Sequence, residues 1–475
     1  MSFINIFNCI LTVLFFICYA YQFFYIPVSW YAKPRAHGAE KPLRYAFLIA
    51  ARNEEAVIGQ LIDSIRAQDY PQVLYDIYVV ADNCTDATAA LCRSKGVYVH
   101  ERFNRRKVGK GYALDWLLCR IPVQRYDAFA VFDADNLLRP DWLTEVNKHL
   151  SDGCGIVTTY RNTKNYGDNW ISAGCGLWFL REARYLNAAR EALGLSCNVS
   201  GTGFAFTRKV LEDCGGWHFF LLTEDAEFSI DRITVGERIG YCASAEFFDE
   251  QPTSFAQSWR QRVRWSRGYL QVLRRYGGRM LRGIFNGRRD SRLSCLDMML
   301  SITPVAVLSA LGLVTNTAAM IVRFAADGDV RALLVSFGGM LCGLTCTVFV
   351  LGVITTVTEW RHIDCPGWKK VLYTFTLPLF MFTYIPICIA SFFGKVTWKP
   401  IRHGQTGRVS SDKRNRRAEA HCAPVKMLRY NEKKVLHIFW CAPEVSFGGG
   451  AGKTISNAEV FPRPPRLKRS RRFLH

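Results

Sequence analysis

Four stretches of this 475-residue chain carry no charged side chain: 1–32, 298–322, 332–358 and 371–394. Each matches or exceeds the ~20 apolar residues that a hydrocarbon core requires of a spanning helix. In such a core every backbone N–H and C=O must be satisfied inside the protein, so these runs predict membrane-crossing helices: one at the N-terminal end and about three towards the C-terminal end. No Lys or Arg precedes the first run, and it is longer than the apolar part of a secretory signal. It is therefore expected to stay as an anchor.

The net charge of +21 would suit nucleic acid, anionic lipid or an anionic small substrate. Its distribution chooses among them. Residues 401–475 hold 17 Lys and Arg against 5 Asp and Glu, so a surplus of 12 lies beyond the last apolar run. Basic residues beside membrane segments mark cytoplasmic placement or attraction to lipid head groups, which argues against nucleic acid. The 17 cysteines include no C-x-x-C pair, so neither a structural zinc site nor a disulfide framework is indicated, and reduced thiols facing the cytosol are expected.

Between the apolar runs, after a polar linker at 31–42, strand-like and helix-like stretches alternate. Residues 45–50 (YAFLIA) are a continuous apolar strand, and 54–67 places Val57, Ile58, Leu61, Ile62 and Ile65 on one helical face with Asn53 as N-cap. Strands at 76–80, 97–100 and 129–132 alternate with helices at 85–95 and 110–120. This spacing predicts a mostly parallel α/β sheet with helices on both faces, and such sheets bind ligands beyond the carboxyl ends of their strands.

Three acidic segments fall at those ends: Asn53-Glu54-Glu55, the stretch from Asp82 to Asp86, and Asp133-Ala134-Asp135. In YDAFAVFDADNLLRP, strand alternation would put Asp133 and Asp135 on one side, where two hard oxygen donors suit Mg²⁺ or Mn²⁺ carrying a diphosphate. Arg105, Arg106, Lys107 and Lys110, with Gly109 and Gly111, open a helix where N–H groups favour an anion. On the residues alone this cluster is equally a solvated loop. Thr223-Glu224-Asp225 precedes a helix at 226–235, and a capping Thr with acids in the first turn would explain it without catalysis. Gln261-Arg262-Val263-Arg264-Trp265 lies in an amphipathic helix at 253–275 whose buried stripe is expected to be Phe255, Trp259 and Val263. Arg suits a diphosphate and Trp the face of a sugar, although a basic amphipathic helix before a span is also an ordinary interfacial one.

Taken in order, AARNEEAVIGQLIDSI, VVADNCTDAT, KGYAL, VFDAD, GTGFAF, TEDAEFSI and QRVRW resemble the membrane-embedded family 2 glycosyltransferases, the group of cellulose, chitin and hyaluronan synthases and of ceramide glucosyltransferase. The resemblance runs from about Tyr45 to Trp265. It implies a GT-A fold, a UDP-sugar donor and inverting transfer. It further implies Asp225 as the base that deprotonates the acceptor, Asp135 and Asp133 as metal ligands, and Glu54, Asp82, Lys110, Asp133 and Arg264 around the nucleotide sugar. Thr202, Glu224, Gln261 and Trp265 would meet the acceptor.

The expected organisation is an anchor at 1–32, a cytosolic catalytic domain at 43–252, interfacial helices at 253–294, membrane helices at 295–394 and a basic, disordered tail at 395–475. Pro304 and Pro378 interrupt apolar runs where a re-entrant break would sit, and 395–399 resembles a gating loop of the synthases. SFGGGAGKT at 446–454 fails as a phosphate loop, because its glycine spacing is one short and no strand precedes it. The leading functional expectation is sugar transfer to a polysaccharide or glycan at the membrane, by a multi-pass protein that meets membrane lipids and no nucleic acid. The alternatives are transfer of one sugar to a lipid, and a catalytically silent membrane scaffold.

Overall fold

The computed structural model describes residues 2–32, 38, 40–302, 304–327 and 331–393. The readings of 395–475 as a disordered tail, of 395–399 as a gating loop and of 446–454 lie outside these residues. Strands β1 (Tyr45–Ala51), β2 (Tyr75–Asp82), β3 (Tyr98–Arg102), β4 (Ala128–Asp133), β5 (Leu137–Leu138), β6 (Ile156–Thr163), β7 (Phe204–Thr207) and β8 (Ile239–Asp249) form one eight-stranded sheet in the order β3-β2-β1-β4-β7-β6-β8-β5. β3, β2, β1 and β4 run parallel, as do β6 and β8. β7 is antiparallel to both its neighbours and β5 to β8. The sheet is therefore mixed, and the alternation legible in sequence describes its parallel half.

Continuous apolar strands mean burial on both faces, and β1 shows why. Its Tyr45, Phe47 and Ile49 pack under α2 (Ile58–Arg66), with Ile58, Leu61, Ile62 and Ile65 as the helix's buried face. Its Ala46 and Leu48 point the other way, towards Leu114 and Leu117 of α4 (Lys110–Leu118). The N-terminal α1 (Ser2–Tyr31) comes before this core, α3 (Thr88–Ser94) lies between β2 and β3, and α5 (Trp142–Ser151) inserts Trp142 beside Phe47 and Phe132. Asn53 does not cap α2. It sits at φ 59°, and its side chain accepts from Thr85 N at 2.8 Å, tying the loop after β1 to the loop after β2.

α6 (Trp170–Arg181) passes through one π-helical segment, Glu182–Asn187, into α7 (Ala188–Ala192). α8 (Arg208–Asp213) and α9 (Glu224–Thr234) follow, then the 32-residue α10 (Phe255–Asn286), α11 (Arg289–Ile302), α12 (Pro304–Asp327), α13 (Arg331–Thr358), α14 (Gly367–Phe382) and α15 (Tyr384–Phe392). Among the described residues three spans are long and apolar enough to cross a membrane, Ile6–Tyr31, Phe337–Thr358 and Gly367–Phe392. The run at 298–322 is divided between α11 and α12, with Pro304 opening α12. Pro378 stays within α14, and the chain breaks instead at Thr383. In α1 and α12, Asn8 and Asn316 exchange side-chain hydrogen bonds at 2.9 and 2.8 Å, a polar pair that holds two apolar helices together.

The buried stripe of α10 differs from the expected one. Phe255 is exposed and Trp259 and Val263 are half-buried, whereas Ser258, Arg262, Gly268, Val272, Tyr276 and Met280 face inward. The reason lies around Thr383, where α14 gives way to α15. Arg262 donates to Thr383 Oγ1 at 2.6 Å and lies over the rings of Phe380 and Tyr384, so the helix turns its guanidinium, not its aromatic face, into the protein.

Candidate active site

Parallel register brings the acidic segments to one edge. Asp82 pairs with Arg102 at the ends of β2 and β3, Ala51 pairs with Ala81, and Ala50 of β1 pairs with Asp133 at the end of β4. A cavity of about 1700 Å³ opens along this edge. Of the residues expected at the site, Glu54, Asp82, Lys110, Asp133, Asp135, Glu224, Asp225, Gln261, Arg264 and Trp265 all line it.

Asp82 is buried and ion-paired with Arg102, whose Nη2 also donates to Lys107 O at 2.6 Å. Glu54 N donates to Thr88 Oγ1 at 2.8 Å, which fixes the first turn after β1. Of the basic cluster, Arg105, Arg106 and Lys107 are exposed, and only Lys110 reaches the acids. Its Nζ donates to Asp133 Oδ1 at 2.5 Å and to Gly201 O at 2.7 Å. Burial pushes the Lys110 ammonium down, but Asp133, then Glu224 and Asp225, outweigh it and hold the group above its ordinary value.

Asp133 is the last residue of β4, and Ala134 and Asp135 already belong to the turn. Both carboxylates face the cavity through that turn, not through continued strand alternation. The turn is held by Asn136, whose Oδ1 accepts from Asp133 N at 3.1 Å and whose Nδ2 donates to Asp135 Oδ1 and to Asp249 Oδ1. Thr202 behaves differently from expectation. It is buried, does not line the main cavity, and accepts from Asp133 N at 2.9 Å while its hydroxyl donates to Asn136. Gly201 and Gly203, both at positive φ, carry the chain past this point, so the 200–203 turn supports the acidic turn from behind.

Among the described residues no group of three or more His, Cys, Asp or Glu forms a metal cage. Two hard carboxylates at a cavity wall are nonetheless the donor set of a Mg²⁺- or Mn²⁺-type ion that completes its coordination with substrate phosphate oxygens and water. The chemistry of Asp133 and Asp135 fits such an ion.

Glu224 and Asp225 open α9. Thr223 stands at the N-cap position but makes no capping hydrogen bond, so the capping reading of these residues loses its hydroxyl. Burial, then the neighbouring Asp225, pushes Glu224 up to about 7, against the pull of Lys110 and Arg264. Burial also raises Asp225. Arg264 Nη1 donates to Leu222 O at 2.9 Å, and Trp265 meets Phe179 edge to face.

The sequence reading missed the residues that aim this loop. Glu227, fully buried one turn into α9, accepts from Phe220 N at 2.7 Å and Leu221 N at 2.9 Å and is paired with Arg275 of α10 at 3.0 Å. Phe220 in turn stacks on Tyr112 of α4, with centroids 4.4 Å apart and planes 7° from parallel. A Cβ on Gly111 would collide with the carbonyl oxygen of Phe219, so this approach requires glycine. Asp249 and its partner Arg161 were also missed. The signal for Asp249 was an apolar strand ending in an acid, as at Asp133.

Residues 42–268 match the family model described as glycosyltransferase like family 2. They form a family 2 glycosyltransferase domain. The β-monoglucosyldiacylglycerol synthase of Nostoc sp. is 28% identical over 297 residues, 58% of this chain and 60% of that protein. The poly-β-1,6-N-acetyl-D-glucosamine synthase of Staphylococcus aureus is 25% identical over 261 residues, 53% of this chain and 59% of the relative. The chain thus spans about three-fifths of the length of these two curated relatives. Among solved structures, the mannosyltransferase PcManGT of Pyrobaculum calidifontis, in complex with GDP-Man and Mn²⁺, superposes with a TM-score of 0.52 at 17% identity, covering 81% of this chain and 99% of its own. That likeness is one of fold: the glycosyltransferase domain has the GT-A architecture, a mixed sheet flanked by helices.

Proposed function

We propose that this protein transfers a single sugar from a nucleotide-diphosphate sugar to a hydroxyl group of a membrane lipid, with inversion at the sugar's C1. One observation carries the reading. The cavity that holds Asp133, Asp135, Glu224 and Asp225 is also walled by the apolar side chains Leu11 and Phe23 of α1, Leu344 and Leu351 of α13 and Leu377 of α14. A hydrophilic glycan has no use for such a wall, whereas a lipid acceptor places its chains there and its hydroxyl at the acids. The similarity to lipid glucosyltransferases supports the same choice over polysaccharide synthesis, the first expectation from sequence.

The residues divide the work. Asp225 accepts the proton as the acceptor oxygen forms its bond to C1, and the bond from C1 to the diphosphate oxygen breaks to release the nucleoside diphosphate. Lys110 and Arg264 place positive charge against the leaving diphosphate. A divalent ion held by Asp133 and Asp135, when bound, would neutralise further charge on the same group. Asp82 lies where the base or ribose of the donor would sit, Trp265 offers an aromatic face, and Gln261 lines the acceptor path.

The test is UDP release and product analysis in purified membranes, across a panel of UDP-sugars with Mg²⁺, Mn²⁺ or EDTA. Metal-dependent release with one sugar and a single-sugar lipid product is expected. Asp225→Asn and Asp135→Ala should each lower turnover at least about a hundredfold. Long water-soluble products would restore the polysaccharide reading. Equal release by wild type and both variants would remove these acids from the chemistry, and no release at all would leave the scaffold.

A further inference from the structure

Two guanidinium groups of the cavity lining, Arg190 and Arg181, differ in their partners. Arg190 of α7 is fully buried and pairs with Asp297 of α11 through Nε at 2.6 Å and Nη2 at 3.4 Å, and Nη2 also donates to Ser301 Oγ at 2.9 Å. Arg181, the last residue of α6, has no carboxylate at ion-pair distance among the described residues. Its Nη2 donates to the amide oxygen of Gln22 on α1, and its guanidinium stands 5.4 Å from the centroid of the Trp178 ring. Glu182, next in the chain, accepts instead from Ser200 Oγ at 2.7 Å and Asn198 Nδ2 at 3.4 Å.

A guanidinium does not shed its proton, and enclosing one without a counter-ion is costly. Burial accordingly holds Arg181 below the ordinary arginine value. In the proposed reaction the donor diphosphate is met by Lys110 and Arg264, which line the same cavity. Arg181 stands where α6 turns into the π-helical segment, bonded to Gln22 of the apolar α1, whose Phe23 lines the same cavity. A lipid acceptor entering beside α1 would meet a guanidinium that has no counter-ion among the described residues, and the group that supplies one is an oxyanion.

We propose that Arg181, braced by Gln22, is a subsite for a phosphate oxyanion of the lipid acceptor, so that the acceptor is a hydroxyl-bearing phospholipid and not a neutral glyceride. This deepens the lipid-transfer reading and rests on it. Arg181 acts on acceptor binding and touches none of the reacting atoms.

The experiment uses full-length protein in phosphatidylcholine vesicles that contain either phosphatidylglycerol or diacylglycerol at equal mole fraction. Wild type is expected to show a KM for phosphatidylglycerol about tenfold or more below that for diacylglycerol. Arg181→Gln should raise the phosphatidylglycerol KM by about tenfold to a hundredfold, the worth of one or two charge-assisted hydrogen bonds, with kcat little changed, and Arg181→Lys should recover part of the loss. Inorganic phosphate separates lipid-borne from free phosphate: it should not promote transfer to diacylglycerol, and if it does the lipid assignment fails. A wild-type preference for diacylglycerol, or an Arg181→Gln protein whose kcat falls while the acceptor KM stays put, would overturn the subsite even while lipid transfer persists. If Arg181→Gln does not fold, the wild-type preference between the two lipids still decides. Absence of any lipid product would sink the lipid reading as well.

Discussion

Lys110 shows how one side chain can serve several acids. Its ammonium is bonded to Asp133 and feels Glu224 and Asp225, so the carboxylates after β4 and those opening α9 share one positive charge. The consequence is measurable through pH. Glu224, lifted to about 7, and Asp225, also lifted, lose their protons as a pair, and Asp225 in its proposed role as base must be ionised to work. The acid limb of kcat/KM is therefore expected well above the ordinary range of an Asp, and Glu224→Gln should move it down by removing the neighbouring charge. An unmoved limb would detach Glu224 from the base. These acids were legible in sequence because they stand within recognisable motifs. Thr202 was expected at the acceptor, and its hydroxyl is bonded instead to the back of the acidic turn, because spacing along the chain does not tell which way a hydroxyl faces.

Among the elements, α10 governs the site more than its own motif does. It holds the 219–225 loop through Arg264 and Arg275, while α4 closes on the same loop at Gly111 and Tyr112. Because the neighbour of Gly111 is backbone, Gly111→Ala cannot be absorbed by a side-chain rotation. It is expected to cost about 1–3 kcal/mol of stability and to lower kcat/KM by about tenfold or more, read by thermal unfolding beside steady-state kinetics. Wild-type kinetics would show that the loop yields. The parallel strands and their helices were legible because their apolar periods are regular. The inward face of α10 was not, because an arginine buried between Phe380 and Tyr384 breaks the rule by which such a face is found. Its partners lie more than a hundred residues away, and no local pattern reports them.

Across the whole molecule, the turn between the apolar helices α13 and α14 is fastened to the sheet. Glu359 pairs with Arg184 at 3.2 Å and accepts from Tyr160, and His362 Nδ1 meets Glu246 of β8 at 3.1 Å while its carbonyl accepts from Asn162 at 2.9 Å. Burial would raise Glu246, but the hydrogen bond and charge of His362, then Asn162 and Arg139, bring it down to about 2. A depressed carboxylate stabilises the fold above its unfolded pKa, and that support fades as pH falls from about 4.5 towards 2. Glu246→Gln is accordingly expected to lower stability at neutral pH by about 2–3 kcal/mol and to flatten the acid loss in that window, measured by unfolding in detergent. A variant as stable as wild type would mean that the fastening is idle. Three of the four apolar runs read from the sequence correspond to helices long and apolar enough to cross a membrane, but the attachment through Glu359 and His362 was not legible, since both lie in a short polar turn whose partners are more than a hundred residues away. The continuity of the cavity has one more consequence. In the proposed reaction one substrate comes from water and the other sideways from a bilayer, which are two kinds of concentration, so the rate should follow the acceptor's mole fraction in the membrane and remain constant when vesicles of fixed composition are diluted at saturating enzyme-to-surface contact.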